Sequence, residues 1–187
     1  MSNTIGIDFG TTKTMVSFFN PATNQVELVR LGHDRDSIPT TIHVDEVGEW
    51  SFGEEADIFL EQDPEGYCRA FKLELGKTDY ILVRETVSGT TFSSTAEDLT
   101  AKFLAHIKTC CERDVFHAPI ESATITIPVS FTPAQIKSLE RAATAAGFSS
   151  VSFLLEPEAA GVAFLRDNPT QAFQKPLFST GAEELLI

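Results

Sequence analysis

Apolar and polar residues alternate from the start of the chain, with Ile5, Ile7 and Phe9 on one side and Gly6 and Asp8 between them. A period of two reads as a half-buried strand, and a second such run, Thr14 to Phe19, follows closely. The intervening Gly10-Thr11-Thr12-Lys13 predicts a tight turn closing an antiparallel hairpin, with Gly10 expected at positive φ. Asn20-Pro21-Ala22-Thr23-Asn24 is a dense turn signal, and Val26 to Leu31 completes a three-stranded meander.

The pattern then changes. After the polar stretch Leu31 to Ser37, Ile38 to Val44 reads as a strand. A short helix is expected over Glu54 to Gln62, with Ala56, Phe59 and Leu60 on its apolar side and acidic residues at its positive end. A helical piece over Cys68 to Leu75 and strands over Tyr80 to Val87 and Thr90 to Phe92 follow. Ser94-Thr95-Ala96-Glu97 predicts a capping box opening a long helix whose buried stripe is Ala96, Leu99, Phe103, Ile107 and Cys110. Residues 38–116 thus read as a smaller α+β subdomain inserted into a unit made of residues 1–37 and 117–187.

The last third is a strand (Ala123 to Ile127), a helix and a strand (Val151 to Leu155). The helix opens with the capping box Thr132-Pro133-Ala134-Gln135, buries Ile136, Leu139, Ala143 and Ala146, and stops at Gly147. Glu156-Pro157 then starts a helix to about Asp167. Strand, helix, strand implies a parallel pair with a right-handed crossover. An antiparallel meander followed by βαβα is an α/β topology of the ribonuclease-H-like kind. Ligands of such open sheets lie beyond the carboxyl ends of the parallel strands, where Asp8 and Glu156 would share one cleft.

Composition excludes several classes. With 42% hydrophobic and 22% charged residues the chain is neither disordered nor membrane-spanning, and neither a signal peptide nor a spanning segment is read ahead of the first strand. A net charge of −13, from 14 basic and 27 acidic residues, argues against nucleic acid and leaves any phosphate site dependent on local cations and Mg²⁺. Cys68, Cys110 and Cys111 have no metal-ligand spacing and read as reduced thiols of a cytoplasmic protein. His33, His43, His106 and His117 read as surface or partly buried.

The candidate chemistry starts at the first turn. The amides of Thr11, Thr12 and Lys13 can converge as an anion-binding concavity, and Asp8 beside them suits hydrated Mg²⁺. Asp-x-Gly-Thr-Thr is not a P-loop, and by itself also fits an ordinary hairpin with a polar tip. Glu156 fits either a base that orders an attacking water or a residue offsetting a helix dipole. Lys72 fits a point charge for a terminal phosphate or a surface lysine.

Four segments together resemble one family. Ile7-Asp8-Phe9-Gly10-Thr11-Thr12, Phe71-Lys72-Leu73-Glu74-Leu75-Gly76, Ala123 to Phe131 and Leu154-Leu155-Glu156-Pro157-Glu158-Ala159-Ala160 are similar, in that order, to lobe I of the Hsp70 chaperone ATPase domain. This family lies within the actin and hexokinase superfamily. The resemblance implies binding of ATP or ADP with Mg²⁺. In the phosphate-binding turn, Thr11, Thr12 and Lys13 would contact the β- and γ-phosphates with Gly10 keeping the turn open, Asp8 would hold the metal through water, and Lys72 and Glu156 would place the attacking water. Pro128 would belong to a switch reporting nucleotide state. Implied partners of the intact protein are unfolded polypeptide, a J-domain protein and a nucleotide-exchange factor, with no nucleic acid and no membrane.

The sequence also departs from the family. Lys13 stands where many members have an aromatic residue, Leu155 replaces a usual asparagine, and Ile136 replaces the arginine of the switch. Phe173 to Ile187 lacks the second phosphate motif, Asp-x-Gly-Gly-Gly-Thr, expected after Asp167. The reading is therefore a truncated lobe, with hydrolysis and chaperoning reserved for an intact protein and self-association possible through the surface facing lobe II. The alternatives are a non-catalytic interaction module that kept the fold, or a sugar or acetate kinase relative.

Overall fold

The computed structural model describes residues 3–31 and 36–167; the Phe173 to Ile187 tail, His33 and most of the Leu31 to Ser37 stretch lie outside them. The meander forms as expected, from β1 (Thr4–Phe9), β2 (Lys13–Asn20) and β3 (Gln25–Leu28). Then come β4 (Ile38–Pro39), β5 (Thr41–Val44), β6 (Trp50–Phe52), α1 (Glu54–Asp57), α2 (Phe59–Gln62) and β7 (Tyr67–Arg69). A 3₁₀ turn (Phe71–Glu74), β8 (Tyr80–Glu85), β9 (Thr91–Thr95) and α3 (Ala96–Cys111) follow. The chain continues through β10 (Ser122–Ile127), α4 (Pro133–Ala145), β11 (Ser150–Leu155) and α5 (Glu156–Asp167).

The main sheet is mixed, in the order β11-β10-β1-β2-β3, with β4 added beside β2. β10 runs parallel to both β1 and β11, and β2 is antiparallel to β1 and β3. Alternation puts Ile5, Ile7, Phe9, Val16, Ala123 and Ile125 on the buried side. There they join Leu99, Phe103 and Ile107 of α3 and Leu139 and Ala143 of α4 in one core. Phe9, Phe71 and Phe103 meet with ring centroids 5.9–6.3 Å apart, so one aromatic triad joins β1, the 3₁₀ turn and α3. The opposite side carries Gly6, Ser17, Thr124 and Ser152, small or polar residues that leave it open.

Several expectations are corrected. The strand over Ile38 to Val44 breaks at Thr40, because its first half pairs with β2 and its second with β6 and β7. Buried Thr40 holds that crossing: its hydroxyl bonds Thr14 at 2.9 Å and its N–H donates to the Thr12 carbonyl at 2.9 Å. The helix over Glu54 to Gln62 is two short turns, α1 and α2. Cys68 lies in a strand, and the helical piece is only the 3₁₀ turn after Ala70, which sits at φ 57°. Thr95 with Asp98, not Ser94 with Glu97, forms the capping box of α3. Glu97 instead reaches α4, accepting from Arg141 at 2.9 Å and Ser138 at 2.7 Å. The buried stripe of α3 ends on Cys111, four residues after Ile107, with Cys110 half-buried.

His43, expected at or near the surface, is 1% exposed. It stacks on Phe59, and its Nε2 lies 3.0 Å from an Asp63 carboxylate that Arg84 also reaches at 2.8 Å. This cluster fastens the β8–β9 hairpin to the small β6-β5-β7 sheet. The α4 box of Thr132 and Gln135, with Pro133 in the first turn, forms as expected, and Gly147 ends the helix at φ 93°.

Candidate functional site

The strand ends on one rim of the main sheet carry the polar groups. Asp8 is the penultimate residue of β1, Thr126 the penultimate residue of β10, and Glu156 follows β11 directly. All three line one cleft of about 500 Å³, with Gly6 and Ala160 further along it. Asp8 Oδ1 accepts a hydrogen bond from the Thr126 hydroxyl at 2.7 Å.

Lys72 joins this rim from the other side. Only 3% exposed, its ammonium donates to the Phe9 carbonyl at 2.6 Å and to Glu156 Oε1 at 3.2 Å. The rings of Phe9 and Phe131 lie 5.6 and 5.4 Å from Nζ. A buried cation needs such partners, since desolvation of an unpaired charge is costly. Positive φ at Ala70 (57°) and Gly76 (84°) brackets the turn that carries Lys72 inward. At Gly76 the turn meets the start of α4, where a β-carbon would sit 3.2 Å from the Gln135 nitrogen.

Gly10, Thr11, Thr12 and Lys13 lie just past β1 and outside the residues lining the cleft. Gly10 is not among the glycines at positive φ, which corrects the expectation. Glycine is required there for another reason: a β-carbon would overlap the Lys13 carbonyl oxygen. The Gly10 N–H turns back onto the Asp8 carbonyl at 3.1 Å. Among the described residues, the Thr11 and Thr12 N–H groups have no acceptor within the chain. Such donors, just past the strand end whose Phe9 carbonyl holds the Lys72 ammonium, fit a phosphate, and the Asp8 carboxylate fits the water shell of a magnesium ion.

A family model for the Hsp70 protein matches residues 4–171. The chain belongs to the Hsp70 family. This Hsp70 chain is 28% identical to a chaperone protein HscA homolog of Acinetobacter baylyi, with 89% of the chain and 28% of the relative covered. It is also 28% identical to a chaperone protein DnaK of Mesomycoplasma hyopneumoniae (95% and 28% covered) and to one of Thermosipho africanus (86% and 25%). It therefore spans between 25% and 28% of the length of these relatives.

Within this Hsp70 sequence, reading by pattern overlooked two site residues. Thr126 was legible only through strand register, which places it beside Asp8. Phe131 was legible only through the turn after Pro128, closed by its own N–H on the Pro128 carbonyl at 3.1 Å. The thiols stand apart from this chemistry: burial pushes Cys68 up to about 11 and Cys111 up to about 12, and all three cysteines are unpaired. No described helix is long and apolar enough to cross a membrane.

Proposed function

We propose that this chain is the phosphate- and magnesium-binding lobe of an Hsp70-type ATPase, built on a ribonuclease-H-like unit of residues 1–37 and 117–187 with 38–116 inserted. The observation carrying this reading is the ion pair of Lys72 and Glu156 at 3.2 Å, formed across the rim on which Asp8 also stands. In the ligand-bound protein Thr11, Thr12 and Lys13 would contact the terminal phosphates of ATP through amides and hydroxyls, with Gly10 keeping the turn open. Asp8 would accept hydrogen bonds from the water shell of Mg²⁺, whose charge would offset that of the phosphates. Lys72 would supply a positive charge to the terminal phosphate and help place the attacking water. Glu156 would orient a water for in-line attack, the step in which positioning supplies most of the rate. The described residues supply one wall of such a cleft, so turnover, and work on unfolded polypeptide with a J-domain protein and an exchange factor, are proposed for the complete protein. Unpaired thiols suit a reducing, cytoplasmic setting.

Calorimetric titration with Mg²⁺-ADP, and with ADP in EDTA, tests the assignment. Wild type binds more tightly with the metal, Asp8→Asn loses that gain, and Glu156→Gln keeps it. Equal Mg²⁺-ADP affinity in Asp8→Asn and wild type would rule the metal role out.

A further inference from the structure

The parallel register of β1 and β10 pairs Gly6 with Thr124 and Ile7 with Ile125. One further step sets Thr126 beside Asp8, and Thr126 itself pairs with Leu154, two residues before Glu156. Thr126 therefore stands on the cleft floor between the two carboxylates. The neighbouring hydroxyls of Thr124 and Ser152 bond each other at 2.8 Å, whereas the Thr126 hydroxyl is spent on Asp8 Oδ1 at 2.7 Å.

An exposed aspartate at a strand end rotates freely about χ1 and χ2, and a hydrated cation bound through water needs the carboxylate held still. We propose that Thr126 is a positioning residue. Its hydroxyl ties Oδ1, fixes the carboxylate plane and leaves Oδ2 for the water shell of the divalent cation. Partners that orient a metal-binding carboxylate in this way change metal affinity by about tenfold or more. The inference rests on the magnesium reading of Asp8 and adds the residue that sets how well Asp8 performs it.

The test uses Thr126→Val, which keeps the branched shape a strand favours, and Thr126→Ser, which restores the hydroxyl. Two readouts are needed. In the ligand-free protein, NMR couplings across the Asp8 χ1 bond report a single rotamer in wild type and Thr126→Ser, and averaging in Thr126→Val. In calorimetry, Thr126→Val weakens Mg²⁺-ADP about tenfold, leaves ADP in EDTA unchanged, and is rescued by Thr126→Ser. Asp8 as fixed in Thr126→Val as in wild type overturns the proposal. So does equal weakening with and without metal, which marks a role in cleft shape alone. Wild type that gains nothing from Mg²⁺ removes the Asp8 reading and this inference with it, even where the couplings show Asp8 fixed by Thr126.

Discussion

Lys72 is held by four groups that answer different needs. Two aromatic rings and the Phe9 carbonyl keep a desolvated cation in place, and Glu156, with 42% of its side chain exposed, balances its charge. Because that carboxylate is so open to water, the pair itself contributes little stability. Lys72→Met places an apolar chain of similar length between Phe9 and Phe131, which offsets the lost hydrogen bond to the Phe9 carbonyl. Urea unfolding of Lys72→Met is expected within about 1 kcal/mol of wild type, while nucleotide affinity falls. A loss several times larger would make the ammonium a support of the fold. None of this was visible in the pattern around Lys72, since a lysine buried by contacts from residues far along the chain leaves no local mark. Asp8 and Glu156 were legible because topology alone carries strand ends to one rim.

The elements show the same division. The meander, α4 and its capping box were readable because each rests on neighbours in sequence: alternation, a turn signal, Thr132 three residues before Gln135. The 3₁₀ turn and the break at Thr40 are decided by remote partners, and the α3 box lies one residue further on because Glu97 is drawn to Ser138 and Arg141 of α4. The turn bearing Lys72 leans on α4 through Gly76, so Gly76→Ala strains a positive φ and crowds the Gln135 amide. Its cost is expected at about 2 kcal/mol in chemical denaturation, with a further drop in nucleotide affinity as the turn moves off α4. Between α3 and α4, the Arg141 guanidinium bonded to Glu97 holds that carboxyl below its ordinary value of 4.5. A depressed folded value means the stabilisation is complete above about that pH and is lost as pH falls through the lower folded value. Glu97→Gln is thus less stable than wild type at pH 7, and the gap closes in melts taken at progressively more acidic pH.

Across the whole molecule a net charge of −13 sets the balance between surface pairs and general repulsion. Exposed pairs such as Arg113 with Asp114 contribute little, so screening the repulsion dominates. Raising sodium chloride from low to near-molar concentration is expected to lift the melting temperature by about 2–4 °C, and a fall would show the ion pairs to be worth more than this. The crossing at Thr40 has a consequence at this scale. The chain passes there from one sheet to the other while its N–H is held by Thr12, within the turn that follows β1. Deuterium can replace that single amide proton only when the turn and the small sheet part company. The exchange rate at Thr40 is therefore a clock for that separation, and its slowing on addition of nucleotide would time how firmly a filled turn clamps the two sheets together.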